Sequence, residues 1–164
     1  MIMVKATQSL FKFMRTKPDL EPPVSTGQLG PWVAKLVDTD AGELIVCMSE
    51  RTFLTIMFPS GYVKLFVPQL YDRTYDLLCH LNVPANVAKA EVEHYRQITF
   101  TRTDSRRTVG ILNEIGRQVQ YWLDDQHELT PQHLARIELS ICEGIYGAPN
   151  YTNPREAVRS LLLN

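Results

Sequence analysis

Residues 32–48 run WVAKLVDTDAGELIVCM, and this stretch decides the fold. Residues 32–38 predict a strand with the two-residue period of a pleated chain. One face would carry Trp32, Ala34 and Leu36, and the other Val33, Lys35 and Val37. Residues 38–42 are rich in turn formers, and residues 44–48 are continuously apolar, as in a central strand. The stretch therefore predicts two antiparallel strands.

Further strands extend this pair. Residues 53–58 and 62–67 flank Pro59-Ser60-Gly61, a pattern that predicts a hairpin. Residues 2–6 and 97–102 are shorter candidates, the second with Ile98 and Phe100 facing inward. We expect a largely antiparallel meander of about five to six strands, because strands joined by short turns pair antiparallel.

Helices, about five to six in all, are expected mainly in the C-terminal half, which makes the fold class α+β. Ser9 is expected to cap a short early helix with Leu10, Phe13 and Met14 on one face. Residues 17–30 contain prolines and glycines and predict a loop. The later helices start at a proline or a capping residue, namely at Pro68, after Pro84, at Ser105, at Thr130-Pro131 and at Asn153-Pro154.

The helix after Ser105 is expected to be the longest and to end near Asp125. Its apolar residues follow the 3.6-residue helical period and predict a buried stripe. The stripe consists of Val109, Leu112, Ile115, Val119 and Trp122. Because nothing indicates a domain boundary, residues 1–164 are expected to form one domain.

Composition narrows the function classes. The formal net charge is −1, with 17 basic and 18 acidic residues, so only a local patch could attract a polyanion. Cys47, Cys79 and Cys142 lie apart in apolar runs, which predicts buried, reduced and inert thiols. No secretion signal or membrane-spanning run is found, so we expect a cytoplasmic protein without a membrane partner.

The strongest candidate site is a cluster of arginines at a strand-to-helix junction. Arg96, Arg102, Arg106 and Arg107 lie within twelve residues, against one acid, Asp104. A helix N-terminus attracts anions, and arginine pairs with phosphate or carboxylate. The polar side of the helix continues the patch with Gly110, Asn113, Arg117 and Gln120. The alternative is a capped helix with a solvated face.

No cofactor or metal is expected. The histidines lack the spacing of a helical metal site. Acids and histidines do gather in one interhelical loop, and this composition is also typical of a polar loop. The group consists of Asp124, Asp125, His127, Glu128 and His133.

Two segments carry a resemblance to a known family. Residues 29–36, LGPWVAKL, and residues 101–114, TRTDSRRTVGILNE, are similar to segments of an uncharacterised bacterial family, a domain of unknown function. Glu114 stands where that family usually has aspartate. The resemblance implies one α+β domain and directs attention to Arg106, Gly110 and Asn113. It implies no activity.

Three function classes follow from these patterns. We expect a non-catalytic binding or regulatory module, such as an accessory of a mobile element or a defence system, because no catalytic motif is present. A nucleic-acid or nucleotide binder that uses the arginines is the first alternative. An enzyme built around Arg106, Asn113 and Glu114 is the second. In each case the expected partner is anionic, either a protein or a nucleic acid.

Overall fold

The computed structural model describes residues 1–125, 128–144, 146 and 153–164, and the fold is α+β. A five-stranded sheet forms its centre. The strands are β1 (Ile2–Ala6), β2 (Trp32–Thr39), β3 (Gly42–Ser49), β4 (Thr55–Pro59) and β5 (Ile98–Arg102). The helices are α1 (Gln8–Met14), α2 (Phe66–His80), α3 (Ala85–Val92), α4 (Arg106–Trp122), α5 (Pro131–Cys142) and α6 (Pro154–Leu163).

The strand order is β4-β3-β2-β1-β5, and the sheet is mixed. The meander of β2, β3 and β4 is antiparallel, as the sequence predicts, with Ala34 opposite Cys47 and Cys47 opposite Ile56. β1 is parallel to both of its neighbours. Parallel neighbours need a long crossover connection, and here each connection contains at least one helix.

The expected strand at residues 62–67 is wrong. The chain leaves the sheet at Pro59, forms a 3-10 helix from Ser60 to Leu65 and enters α2 at Phe66. Phe66 is buried and packs edge-to-face on Phe58 and Phe100, with ring centroids 5.3 and 5.0 Å apart. Burial of this ring favours the helical start over a further edge strand.

Helices cover both faces of the sheet. The face that carries Trp32 and Ala34 packs against α1, α2, α3 and α6, and the face that carries Val33 and Val37 packs against α4 and α5. These are the two faces that the alternation predicts. No helix in the described part of the chain is both long and apolar enough to cross a bilayer.

The first helix differs from the expectation in phase and cap. Thr7, not Ser9, is the N-cap, and its side chain makes no capping hydrogen bond. Leu10 and Phe11 are buried, whereas Phe13 is 40% exposed. Because the helix is short, its packing against β2, and not its own periodicity, determines which residues face inward.

The loop at residues 17–30 lacks helix and strand but is anchored to the domain. Its Gln28 and Leu29 backbone N–H groups donate to the buried Glu91 carboxylate, at 2.8 and 3.0 Å. Tyr95 donates to the same carboxylate at 3.0 Å and accepts from Trp32 Nε1 at 3.3 Å. This network joins the loop, α3 and the sheet through one buried acid.

The long helix begins and packs largely as predicted. Ser105 accepts a hydrogen bond from Thr108 N at 3.2 Å, and Leu112, Ile115 and Val119 are fully buried. The ends of the predicted stripe are wrong: Val109 is only half-buried, and Trp122 is 37% exposed. Ile111 and Leu123 take the buried positions instead. Thr130 and Asn153 cap α5 and α6 as expected.

Candidate anion-binding groove

An open groove of about 370 Å³ lies between β2 and the polar side of α4. We call it the β2–α4 groove. Its walls are Lys35, Leu36, Val37, Asp38, Asn113, Gly116, Arg117 and Gln120. The polar helix side that the sequence singles out thus forms one wall, and the strand forms the other.

Gly116 lets the helix approach the strand closely. A Cβ at this position would lie 3.3 Å from Val37 Cγ2 and 3.9 Å from Lys35 Nζ. Four residues later, Gln120 Nε2 donates to the Asp38 carbonyl at 2.8 Å. A Cβ at Gly110, by contrast, would meet only open space. A close neighbour therefore explains the presence of glycine in the helix at position 116 but not at position 110.

Lys35 and Arg117 place two positive charges in the groove. Lys35 Nζ donates to Asn113 Oδ1 at 2.8 Å. Burial lowers the pKa of Lys35, and the charge of Arg117 lowers it further. Within the described residues, neither cation forms an ion pair. Asp38 is the acid of the groove lining, but it is exposed and pairs with neither cation, so the two like charges still favour an incoming anion.

The start of α4 is tied to the sheet by Asp104. This acid, the only one in the arginine cluster, pairs with Lys5 Nζ at 2.9 Å, and Glu50 pairs with the same nitrogen at 2.9 Å. Burial opposes the charge of Lys5, but hydrogen bonds to Asp104 and Glu50 outweigh it and raise its pKa. Asp104 is therefore already engaged, and exposed Arg106 lies two residues beyond it.

The remaining predicted arginines do not form one patch. Arg96 donates to the Glu93 carboxylate at 2.5 and 3.0 Å and stacks over Tyr71, 5.4 Å from the ring centroid. Arg102 lines a separate surface pocket near α1. Arg107 is exposed but has a partner of its own. Of the six predicted site residues, Asn113 and Arg117 line the β2–α4 groove.

Lys35 is the groove residue that the sequence did not indicate. The alternation of β2 places Lys35 on the same face as Val33 and Val37, where it is the one charged residue. A single cation on an apolar strand face was the available signal. Its contact with Asn113 spans 78 residues, which no local pattern specifies.

The enzyme alternative needs Arg106, Asn113 and Glu114 to converge. Asn113 contacts Lys35, whereas Glu114 is exposed and lies near Tyr146. Burial of Tyr146, followed by the negative charge of Glu114, raises the pKa of this tyrosine to about 12. Consecutive helical residues point about 100° apart, so the amide and the carboxylate lie on different flanks of α4. The groove offers two cations, two amides and the Asp38 carboxylate, and among the described residues its lining contains no serine, threonine, cysteine or histidine.

A neighbouring pocket that shares Asp38 and Gln120 with the groove is acidic. The carboxylates of Asp40, Asp124 and Asp125 lie within 4.8 Å of one another, and all three residues are exposed. Asp124 and Asp125 belong to the loop that the sequence analysis considered for a metal, and His127 of that loop lies outside the described residues. The surface therefore changes sign along α4, from Lys35 and Arg117 to these acids.

Comparison with known families places this domain. A family model described as a domain of unknown function, DUF6933, matches residues 3–157. The chain belongs to the DUF6933 family. The expectation of an uncharacterised family is thereby confirmed, and the match covers the whole sheet apart from Ile2, together with helices α1 to α5. No curated protein matches this DUF6933 chain.

Proposed function

We propose that this DUF6933 domain is a non-catalytic binding module that recognises an anionic partner in the β2–α4 groove. The observation that carries the proposal is that two cations, Lys35 and Arg117, line the same groove. Lys35 is held at a lowered pKa by burial and by its cationic neighbour. A ligand anion between the two would offset this repulsion and raise the pKa of Lys35 again.

The neighbouring groups suit a phosphate or a carboxylate. Arg117 can fork onto two oxygens, Lys35 supplies a point charge, and Asn113 and Gln120 add amide hydrogen bonds. Arg106, seven residues before Asn113, lies on the same side of the helix by periodicity and would extend the site along its axis. An open groove with spaced cations suits a chain of charges better than one buried ion.

The test is a binding titration of the double variant Lys35→Met/Arg117→Gln. The probes are a single-stranded oligonucleotide, a duplex, a mononucleotide and an acidic peptide, each at two salt concentrations. The matched control is Lys64→Ala/Arg136→Ala, which removes two exposed cations outside the groove. Parent and control should bind alike, and the groove variant should bind more weakly.

The salt dependence separates the partner classes. If the partner is a nucleic acid, losing two phosphate contacts should lower the log–log salt slope by roughly 2. An acidic protein surface would instead give a milder salt effect and a slower association rate in the variant. The proposal is refuted if the parent binds none of the four probes, or if the groove variant binds as well as the control.

A further inference from the structure

A second, smaller pocket lies between α2 and α5, beyond the β4 edge of the sheet. We call it the α2–α5 pocket. Its volume is about 130 Å³, and it is separate from the β2–α4 groove. The walls are Arg73, Asp76, Leu77 and His80 of α2 and Pro131, Ala135, Glu138 and Leu139 of α5. An engineered cavity of about 150 Å³ binds benzene, so this volume suits a ligand of similar size.

A buried ion pair forms one wall of the pocket. Arg73 Nη2 donates to Glu138 Oε1, and the Glu138 side chain is only 4% exposed. The other carboxylate oxygen, Oε2, accepts from the Met57 backbone N–H at 3.3 Å. Both oxygens of Glu138 are thus engaged, which leaves this acid little capacity for a ligand donor.

The pocket wall also carries an unsatisfied donor. Arg73 Nε is buried and has no hydrogen-bond partner among the described residues. A buried donor without a partner is unfavourable, because it has lost its hydrogen bonds to water. A ligand oxygen reaches this nitrogen only when the Arg73 side chain shifts toward the pocket, and the hydrogen bond formed then offsets that loss.

Asp76 and His80, three and seven residues after Arg73 on the same face of α2, offer acceptors. His80 Nδ1 lies 2.7 Å from the Asp76 carbonyl, so this nitrogen carries the hydrogen and Nε2 is an acceptor in the neutral ring. The Asp76 carboxylate is exposed at the rim. Leu77, Ala135 and Leu139 make the remaining wall largely apolar.

These charges select against ionic ligands. Arg73 and Glu138 already neutralise each other, so on the buried part of the wall neither an anion nor a cation finds an unpaired opposite charge. We propose that the α2–α5 pocket binds a small uncharged amide, whose carbonyl accepts from Arg73 and whose N–H donates to Asp76 or His80. The apolar body of the ligand packs on Leu77 and Leu139. This site is independent of the proposed anion-binding function.

Three probes of one shape test the ligand class: benzamide, benzoate and benzylammonium. Each is titrated into the ¹⁵N-labelled full chain, and backbone amide shifts of α2 and α5 are followed. Benzamide should saturate with a Kd of about 1 mM, as expected for a ligand of this size. Benzoate and benzylammonium should bind at least about tenfold more weakly.

Two variants locate the binding. Ala135→Leu fills the pocket with a good helix former and should abolish the benzamide shifts while leaving the rest of the spectrum unchanged. Arg73→Met/Glu138→Gln removes the guanidinium without stranding a buried carboxylate and should weaken benzamide about tenfold. The proposal fails if benzamide leaves the spectrum unchanged, so that the pocket holds only water. It also fails if benzoate binds equally well, or if Ala135→Leu binds like the parent.

Discussion

Glu138 on α5 accepts a hydrogen bond through Oε2 from the backbone N–H of Met57 on β4, at 3.3 Å. β4 is an edge strand, so its outward N–H groups have no neighbouring strand to donate to. A single buried carboxylate therefore accepts from one N–H of the sheet edge, binds Arg73 and joins α5 to β4. Burial raises the pKa of Glu138 to about 7, and the charge of Arg73 only partly opposes this effect.

The stability of the protein should fall as pH rises from about 4.5 to about 7 through this one group. The folded state binds the Glu138 proton more tightly than the unfolded chain, whose carboxyl has its ordinary pKa of 4.5. The unfolded state therefore holds fewer protons in this window, and the free energy of unfolding decreases with pH by up to about 3 kcal/mol. Urea denaturation of the parent and of Glu138→Gln across this range measures the difference.

Glu114→Gln is the matched control, since Glu114 is exposed. The stability difference between the parent and Glu138→Gln should change through the window and stay constant above it. The Glu114→Gln comparison shows what the loss of one exposed carboxylate does to the same measurement. A flat difference for Glu138→Gln would show that this carboxyl titrates as in the unfolded chain.

Arg117→Gln should raise the pKa of Lys35. Burial keeps the pKa below 10.5 in either protein, but the variant removes the second cause of its depression. In the parent, the unfolded chain binds the proton more tightly than the fold, so stability rises with pH between the folded pKa and 10.5. A ¹³C NMR titration of the lysine ε-carbons reads Lys35 directly, with Lys64 as an exposed reference. An unmoved Lys35 pKa would contradict the close approach of the two cations.

Leu112→Ala should destabilise the domain by about 2–5 kcal/mol, because Leu112 is fully buried between α4 and the sheet. Trp122→Ala is the comparison, since that ring is 37% exposed. Trp122→Ala should lower the free energy of unfolding by less than Leu112→Ala, although tryptophan is the larger side chain. Chemical denaturation of both variants decides this, and a larger effect at Trp122 would contradict the packing of α4.

Alkylation of the native protein should modify Cys79 first. The three cysteines are free, but Cys79 is only half-buried, so the expectation that all three are buried is wrong for this residue. Burial raises the pKa of Cys47 well above its usual range and that of Cys142 to about 12, which removes the reactive thiolate. Mass spectrometry with and without denaturant should find Cys47 and Cys142 modified only after unfolding. Native labelling of either one at the rate of Cys79 would contradict their burial.

Local signals in the sequence predict most elements of the fold. Ser105, Thr130 and Asn153 mark helix starts because a cap acts on backbone groups two or three residues away. The alternation at residues 32–37 predicts the two faces of β2, because successive side chains of a strand point to opposite faces of the sheet. Residues 62–67 do not form the predicted strand, because an apolar run after a turn also allows a helical path, and that path buries Phe66.

The candidate site could be predicted only in part, since its parts lie far apart in the chain. The polar side of α4 follows from periodicity, and Asn113 and Arg117 were found by it. Lys35 lies on a strand 78 residues before Asn113, and the Arg73–Glu138 pair spans 65 residues. Arg96 is close to the other arginines in sequence, which is why the sequence predicts it as part of the site. In the structure it instead binds Glu93 and stacks on Tyr71, outside the groove.

The position of β1 in the sheet has a consequence for synthesis on the ribosome. β1 precedes the other strands, but one of its two neighbours, β5, ends only at Arg102. Until that residue has left the exit tunnel, the nascent β1–β4 sheet carries an unpaired parallel edge beside apolar Ile2 and Val4. Such an edge can pair with another chain, so the vulnerable interval covers the emergence of residues 60–102 and closes when β5 arrives.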